Sequence, residues 1–218
     1  MVGALTRWSG AALWAAHALR HALATPPPPR LPLEDRLAMI PCRGLPIAAP
    51  VRIYWDRHQV PYIDAEHDRD LAVALGVVHA HLRLAQLELM RHIARGRLAE
   101  LVGPLAAGLD HGLRLIDFGR AVPAIAAALP ADTRTWLEGF VAGINHHVAH
   151  AETMPPELAL LGIGRTPWRV EDVLTIGRLA ASDVSWLVWL RLLRLRDAAD
   201  WPAPWRRLVE ASLSITGA

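Results

Sequence analysis

The chain has 218 residues, 53% of them hydrophobic and 20% charged, which is enough apolar side chain to close a core in one domain. Its formal net charge is only +2, and its arginines (there is no lysine) are spread along the chain rather than massed, which argues against a nucleic-acid surface. Cys42 is the single cysteine, so an intrachain disulfide and a cysteine-based metal site are both excluded; it reads as a small semi-buried residue.

Residues 1–25 carry Arg7, an apolar stretch and a small-x-small triplet at 22–24, but His17, Arg20 and His21 interrupt the apolar run. They read as a loosely amphipathic leader helix rather than a cleaved signal, and are too short to span a bilayer. The tetraproline at 26–29 is a stiff polyproline II spacer, so the domain is placed at 31–210, after a leader and spacer at 1–30 and before a tail at 211–218. A short helical pattern and a Pro/Gly-rich approach fill 31–49.

Val51, Arg52, Ile53, Tyr54 and Trp55 alternate and favour β structure; 56–59 makes a turn, and 60–63 reads as the second strand, with Pro61 on an edge. A long helix is predicted from 66–70 to Gly96, with an apolar stripe at Leu71, Leu75, Val78, Leu82, Ala85, Leu89 and Ile93. On that reading Glu88, Arg91 and His92 lie on the exposed flank. Gly103 and Pro104 close a further short turn, and 109–129 reads as one helix ending at Pro130. Asp132 is the expected N-cap of a helix through His150, with a capping-box spacing at Thr135 and Glu138. A helical turn follows Pro155 and Pro156, and Pro167-Trp168 leads into a last helix from about 170 to 196. The reading is mainly α with a few short β-strands, and a lone hairpin is not independently stable in water.

The hairpin with Ala65, Asp70, Ala74, Gly76, His79, Ala80, Arg83, Gln86, Glu88, Arg91, Gly96, Arg97, Ala99, Glu100 and Gly103 resembles the amino-terminal region of the penicillin acylase family. That family includes cephalosporin and acyl-homoserine-lactone acylases. Gly143-Ile144-Asn145, Pro156-Glu157, Pro167-Trp168 and Asp172-Val173 extend the resemblance over roughly 50–196. It implies the amino-terminal part of an αββα N-terminal nucleophile hydrolase. In such enzymes a precursor splits into an α chain and a β chain whose new amino-terminal Ser is the nucleophile and whose α-amine is the base. The Gly-Ser-Asn junction is absent from these residues, so the chain reads as an α chain or a truncated precursor with no catalytic residue of its own. The partners implied are that β chain and a small N-acyl amide, such as a β-lactam side chain or an acyl-homoserine lactone. Nucleic acid is not expected, nor membrane contact. The resemblance suggests the periplasm, and the weak leader leaves the cytoplasm open.

By the resemblance, the acyl pocket draws on Ala181, Ser182, Asp183, Ser185 and Trp186 of the last helix, whose small members would enlarge it. Asp183 sits in an apolar stretch and reads either as a structural ion pair or as a pocket carboxylate. Trp186 and Trp189, rimmed by Arg191, Arg194 and Arg196, suit a helix face buried against a partner. Arg191 falls near the Glu that helps hold calcium in the family, so no metal or other cofactor is expected. His146 and His150 are one turn apart without a third ligand, and His79 and Arg83 are placed toward the turn at Asp56. Further departures are Gln59 in place of the turn glycine, Leu82 and Ala85 around Arg83, and Arg169 in place of an N-capping Thr or Ser. The competing readings are a non-catalytic helical binding or membrane-surface module and, more weakly, a self-contained enzyme with an unrecognised site.

Overall fold

A computed structural model describes residues 31–194 and, ahead of them, Ala16, Leu19, Arg20 and Ala24, with side chains described through Ser182. The leader, the tetraproline and the tail expected at 211–218 lie outside the described residues. In chain order come α1 (Leu33–Ala38), β1 (Arg52–Trp55), β2 (Pro61–Asp64), α2 (Asp68–Ala94), α3 (Ala99–Val102), a 3-10 turn (Pro104–Ala106) and α4 (Ala107–Ile116). Then follow α5 (Val122–Ala128), α6 (Ala131–His150), α7 (Pro156–Leu160) and α8 (Val170–Arg194). Among the described residues the protein is mainly α with one two-stranded sheet, as its sequence implies. Two units divide it, Met1–Ile176 and Gly177–Ala218, with the boundary inside α8.

The first unit is organised by the packing of α2 on α6, which share the most extensive helix contact. Gly76 and Gly143 make that approach possible. A Cβ on Gly143 would lie 2.0 Å from the Val73 carbonyl oxygen, and one on Gly76 would lie 2.1 Å from that of Phe140. Backbone therefore meets backbone at the crossing, and the core continues along the seam through Ala80, Leu84, Val141, Ile144 and Val148 to Leu158 and Trp168.

The buried side of α2 follows the stripe expected from hydropathy only at Val78. Val73, Val77, Val78, Ala80, Leu84, Glu88, Arg91 and Ala94 are buried, whereas Leu82 is 45% exposed and Leu71, Leu75, Ala85, Leu89 and Ile93 are half-buried. The reason is steric: the close crossing selects the face carrying Gly76 and the small alanines, and Leu71, Leu75 and Leu82 flank it. Arg83 also breaks helical geometry, with φ −141° and ψ 17°, so α2 bends where an unbroken helix was expected.

The hairpin forms with the register Arg52–Asp64, Ile53–Ile63, Tyr54–Tyr62 and Trp55–Pro61. Ile53, Trp55, Pro61 and Ile63 are half-buried, while Arg52, Tyr54, Tyr62 and Asp64 face out, as period-two alternation dictates. Asp56 Oδ1 accepts the backbone N–H groups of His58 and Val60, at 2.8 and 2.9 Å, which closes the turn. His79 and Arg83 do not reach it: His79 sits edge-on to Phe140 and Arg83 donates to Gln86. Gln59 occupies the left-handed region with φ 63°, the conformation for which a glycine suits this position. Its side chain accepts a hydrogen bond from Arg36 of α1 at 3.0 Å.

Other expectations also change. The segment 109–129 is two helices, because Asp117 takes a left-handed conformation (φ 52°) at the end of α4 and the chain turns before α5. Asp132 is not the N-cap of α6: Pro130 holds that place, and Asp132 lies in the first turn, accepting from Thr133. Thr135 turns back to the Ala131 carbonyl rather than capping. Cys42 is exposed.

Two substitutions test this packing. Gly143→Ala forces a methyl into the Val73 carbonyl and is expected to cost upwards of about 3 kcal/mol in urea unfolding, because neither backbone can yield alone. Gln59→Gly removes a left-handed penalty of about 1–2 kcal/mol and loses one exposed hydrogen bond, so a net gain of about 0.5–1 kcal/mol is expected.

Candidate functional site

Five of the residues that carry the family resemblance, Glu88, Arg91, Asn145, Trp168 and Asp172, converge on one cluster between α2, α6 and the start of α8. Glu88 is 2% exposed and Arg91 8%, which corrects their placement on the wet flank. Glu88 Oε2 meets Arg91 Nη2 at 2.7 Å, outside hydrogen-bond alignment, so the contact is chiefly Coulombic. Trp168 Nε1–H donates to Glu88 Oε1 at 2.8 Å, and the Arg91 guanidinium lies 4.8 Å from the centre of the indole ring. Burial hides this pair from a hydropathy stripe, and the pairing is what makes the burial tolerable.

The approach to α8 is fixed by the same residues. Asn145 clamps Trp168 on both sides: its amide nitrogen donates to the Trp168 carbonyl at 2.9 Å, and its oxygen accepts the Trp168 N–H at 2.6 Å. Arg91 donates to the Pro167 carbonyl at 3.2 Å. Asp172 Oδ2 accepts the Arg169 N–H at 2.9 Å, which is the third-position half of a capping box. That bond explains how α8 starts with Arg169 where an N-capping hydroxyl was expected. Asp172 also pairs with Arg95 and stands 3.8 Å from Arg91.

Two more carboxylates hold backbone. Asp70 accepts the N–H groups of Ala48 and Ala49, and these bonds, the Ala48 one foremost, keep its pKa below the ordinary carboxylate value. Asp110 accepts those of Leu98 and Ala99 at 2.8 and 2.7 Å, so α4 caps the start of α3. The Asp110 role was not read from the sequence; an acid two turns beyond an uncapped short helix was the available signal.

An open hollow of about 580 Å³ lies over the cluster, lined by Arg91, Arg95, Arg97, Arg169, Glu100 and Asp172 among others. Arg97 is held by both carboxylate oxygens of Glu100, at 2.8 and 2.6 Å, so much of its positive charge is already matched. None of its lining residues is a serine, cysteine or lysine. Its chemistry is that of paired charges.

Of the pocket residues expected on α8, Ala181 is exposed and Ser182 donates its hydroxyl to the Leu179 carbonyl at 2.7 Å. The side chains of Asp183, Ser185, Trp186 and Arg191 lie outside the described residues. His146 and His150 stack with ring centres 4.3 Å apart, His150 Nδ1 bonds the His146 carbonyl, and His146 Nε2 bonds the Pro41 carbonyl. Those nitrogens hold backbone rather than a metal. Among the described residues no three His, Cys, Asp or Glu side chains gather as a metal site.

The unit is mainly helical, with one hairpin and a carboxylate–guanidinium pair clamped by Trp168. Residues 50–211 match the family model described as penicillin amidase, and the chain belongs to that family. It is 35% identical over 153 residues to the penicillin acylase 2 proenzyme of Pseudomonas sp. (strain SE83), covering 68% of this chain and 19% of that protein. It is 31% identical over 149 residues to the acyl-homoserine lactone acylase QuiP of Pseudomonas aeruginosa, covering 64% and 17%. The chain thus spans about a fifth of the curated relatives it matches. A solved thermostable penicillin G acylase from Alcaligenes faecalis shares the fold, with a TM-score of 0.59 at 22% identity, covering 73% of this chain and 88% of the matched one.

Replacing Glu88 by Ala strands the buried Arg91 cation and the Trp168 N–H together. A loss of about 3–5 kcal/mol in denaturant unfolding is expected, and an unchanged midpoint would mean the pair is dispensable.

Proposed function

We propose that this chain is the α-chain-like part of a penicillin-acylase-type amidohydrolase that hydrolyses an N-acyl amide, a β-lactam side chain or an acyl-homoserine lactone among the candidates. In this reading the chain supplies scaffold and one wall of the acyl pocket, and the amino-terminal Ser of a partner β chain attacks the acyl carbonyl. The Ser α-amine takes the hydroxyl proton and returns it to the leaving amine.

The observation that carries the proposal is the match of residues 50–211 to the penicillin amidase family, with 35% identity to a penicillin acylase proenzyme over 19% of that protein. The side-chain chemistry agrees with it. Six of the residues carrying the resemblance, Asp70, Glu88, Arg91, Asn145, Trp168 and Asp172, are engaged in holding backbone or one another. That is the work of a scaffold.

The test is to isolate the protein from its source and to produce the 218-residue chain alone, then assay release of free amine from N-acyl amides. A co-purifying larger chain that begins with Ser, with hydrolysis by the complex and none by the single chain, is expected. Turnover by the single chain would overturn the assignment of the nucleophile to a partner.

A further inference from the structure

The seam between α2 and α6 carries a group of histidines that the scaffold role does not use. His147 of α6 is 4% exposed, and its Nδ1 is buried with no hydrogen-bond partner. His81 of α2 faces it edge-on, with ring centres 5.8 Å apart. Next to His147 on its own helix is His146, stacked on His150. The loop after α7 brings Arg165, whose guanidinium donates to the Val148 and Ala151 carbonyls at 2.5 and 2.6 Å and so ties that loop to the end of α6. From α1, Arg36 acts on His81. The groups that act on His147 and His81 from α1, α2, α6 and the loop are thus all basic.

We propose that the His81–His147 contact is a proton-operated lock: neutral, it lets α2 and α6 close over it, and protonated, it loosens the end of α6 and the Arg165 loop. The reason is electrostatic. A proton on His147 places a cation in a dry seam beside His81, His146 and the fixed charge of Arg165, with no carboxylate among those groups to offset it. The strain falls beside Val148 and Leu158, in the main core, and beside the carbonyls that Arg165 grips.

Burial first, and then His81, Arg165 and His146, depress the His147 pKa from 6.5 to about 4. Between those two values the unfolded chain holds a proton at this residue that the folded chain does not. The stabilisation is therefore fully present above pH 6.5, falls as pH drops and levels off below about 4. Burial foremost also lowers the pKa of His81 and of His146, which adds to the effect in the same direction.

The experiment is urea unfolding of the full chain at pH 7 and pH 5, for the natural sequence and for His147→Gln. One such group raises the unfolding constant by about twentyfold over that interval, and the variant should lose most of that rise. Amide exchange along 148–165 should accelerate ahead of the α2–α6 crossing at Gly76 and Gly143. Should the variant not fold, a proton NMR titration of the His147 ring in the natural chain decides the matter. A midpoint well below 6 supports the lock. An unfolding constant flat from pH 7 to 5, a variant that keeps the full slope, or a ring titrating near 6.5 would each overturn it.

Discussion

Glu88 and Arg91 are charged, adjacent on one helix and almost wholly buried, and the arrangement of the first unit follows from what they need. A dry ion pair is tolerable only when its remaining donors and acceptors are met. Trp168 meets one with its indole N–H and shields the guanidinium with its ring. Trp168 is in turn set by Asn145 of α6, and Arg91 reaches the Pro167 carbonyl just before it. One pair therefore links the two long helices to the entry of α8. The glycine crossing decides how near the helices lie, and the charged cluster decides what leaves from their far end.

Six of the residues of the family resemblance, Asp70, Glu88, Arg91, Asn145, Trp168 and Asp172, are thus engaged in holding backbone or one another. The outward surface is different in character. Tyr54 and Tyr62 stand exposed on the hairpin, and Leu105, Leu109, Leu115 and Ile116 are exposed around α4. Among the described residues no helix is long and apolar enough to cross a membrane.

Much of the architecture was legible in the sequence because local chemistry controls it. The hairpin followed from alternation, Gly96 and Gly103 ended their helices with positive φ, and Pro130 and the Pro155-Pro156 pair marked breaks. The errors on α2 share a cause: hydropathy ranks residues singly, while burial here is decided in pairs. Glu88 and Arg91 looked wet because each alone would be, and Leu82 looked buried because leucine usually is. The break at Asp117 escaped notice because a left-handed non-glycine residue has little sequence signal. Asp132 has a capping residue's chemistry but lies after Pro130, which already starts α6. The expected pocket was named by alignment alone, and of its five residues only Ala181 and Ser182 have described side chains.

The central claim is that the carboxylate–guanidinium pair and the tryptophan act as one unit. A double-mutant cycle with Glu88→Gln and Trp168→Phe, read by urea unfolding of the full chain, measures that directly. The two changes are predicted to couple by about 1–2 kcal/mol, because Glu88→Gln removes the charge on the acceptor and Trp168→Phe removes the donor of the same buried hydrogen bond. Additive losses, with coupling indistinguishable from zero, would contradict it.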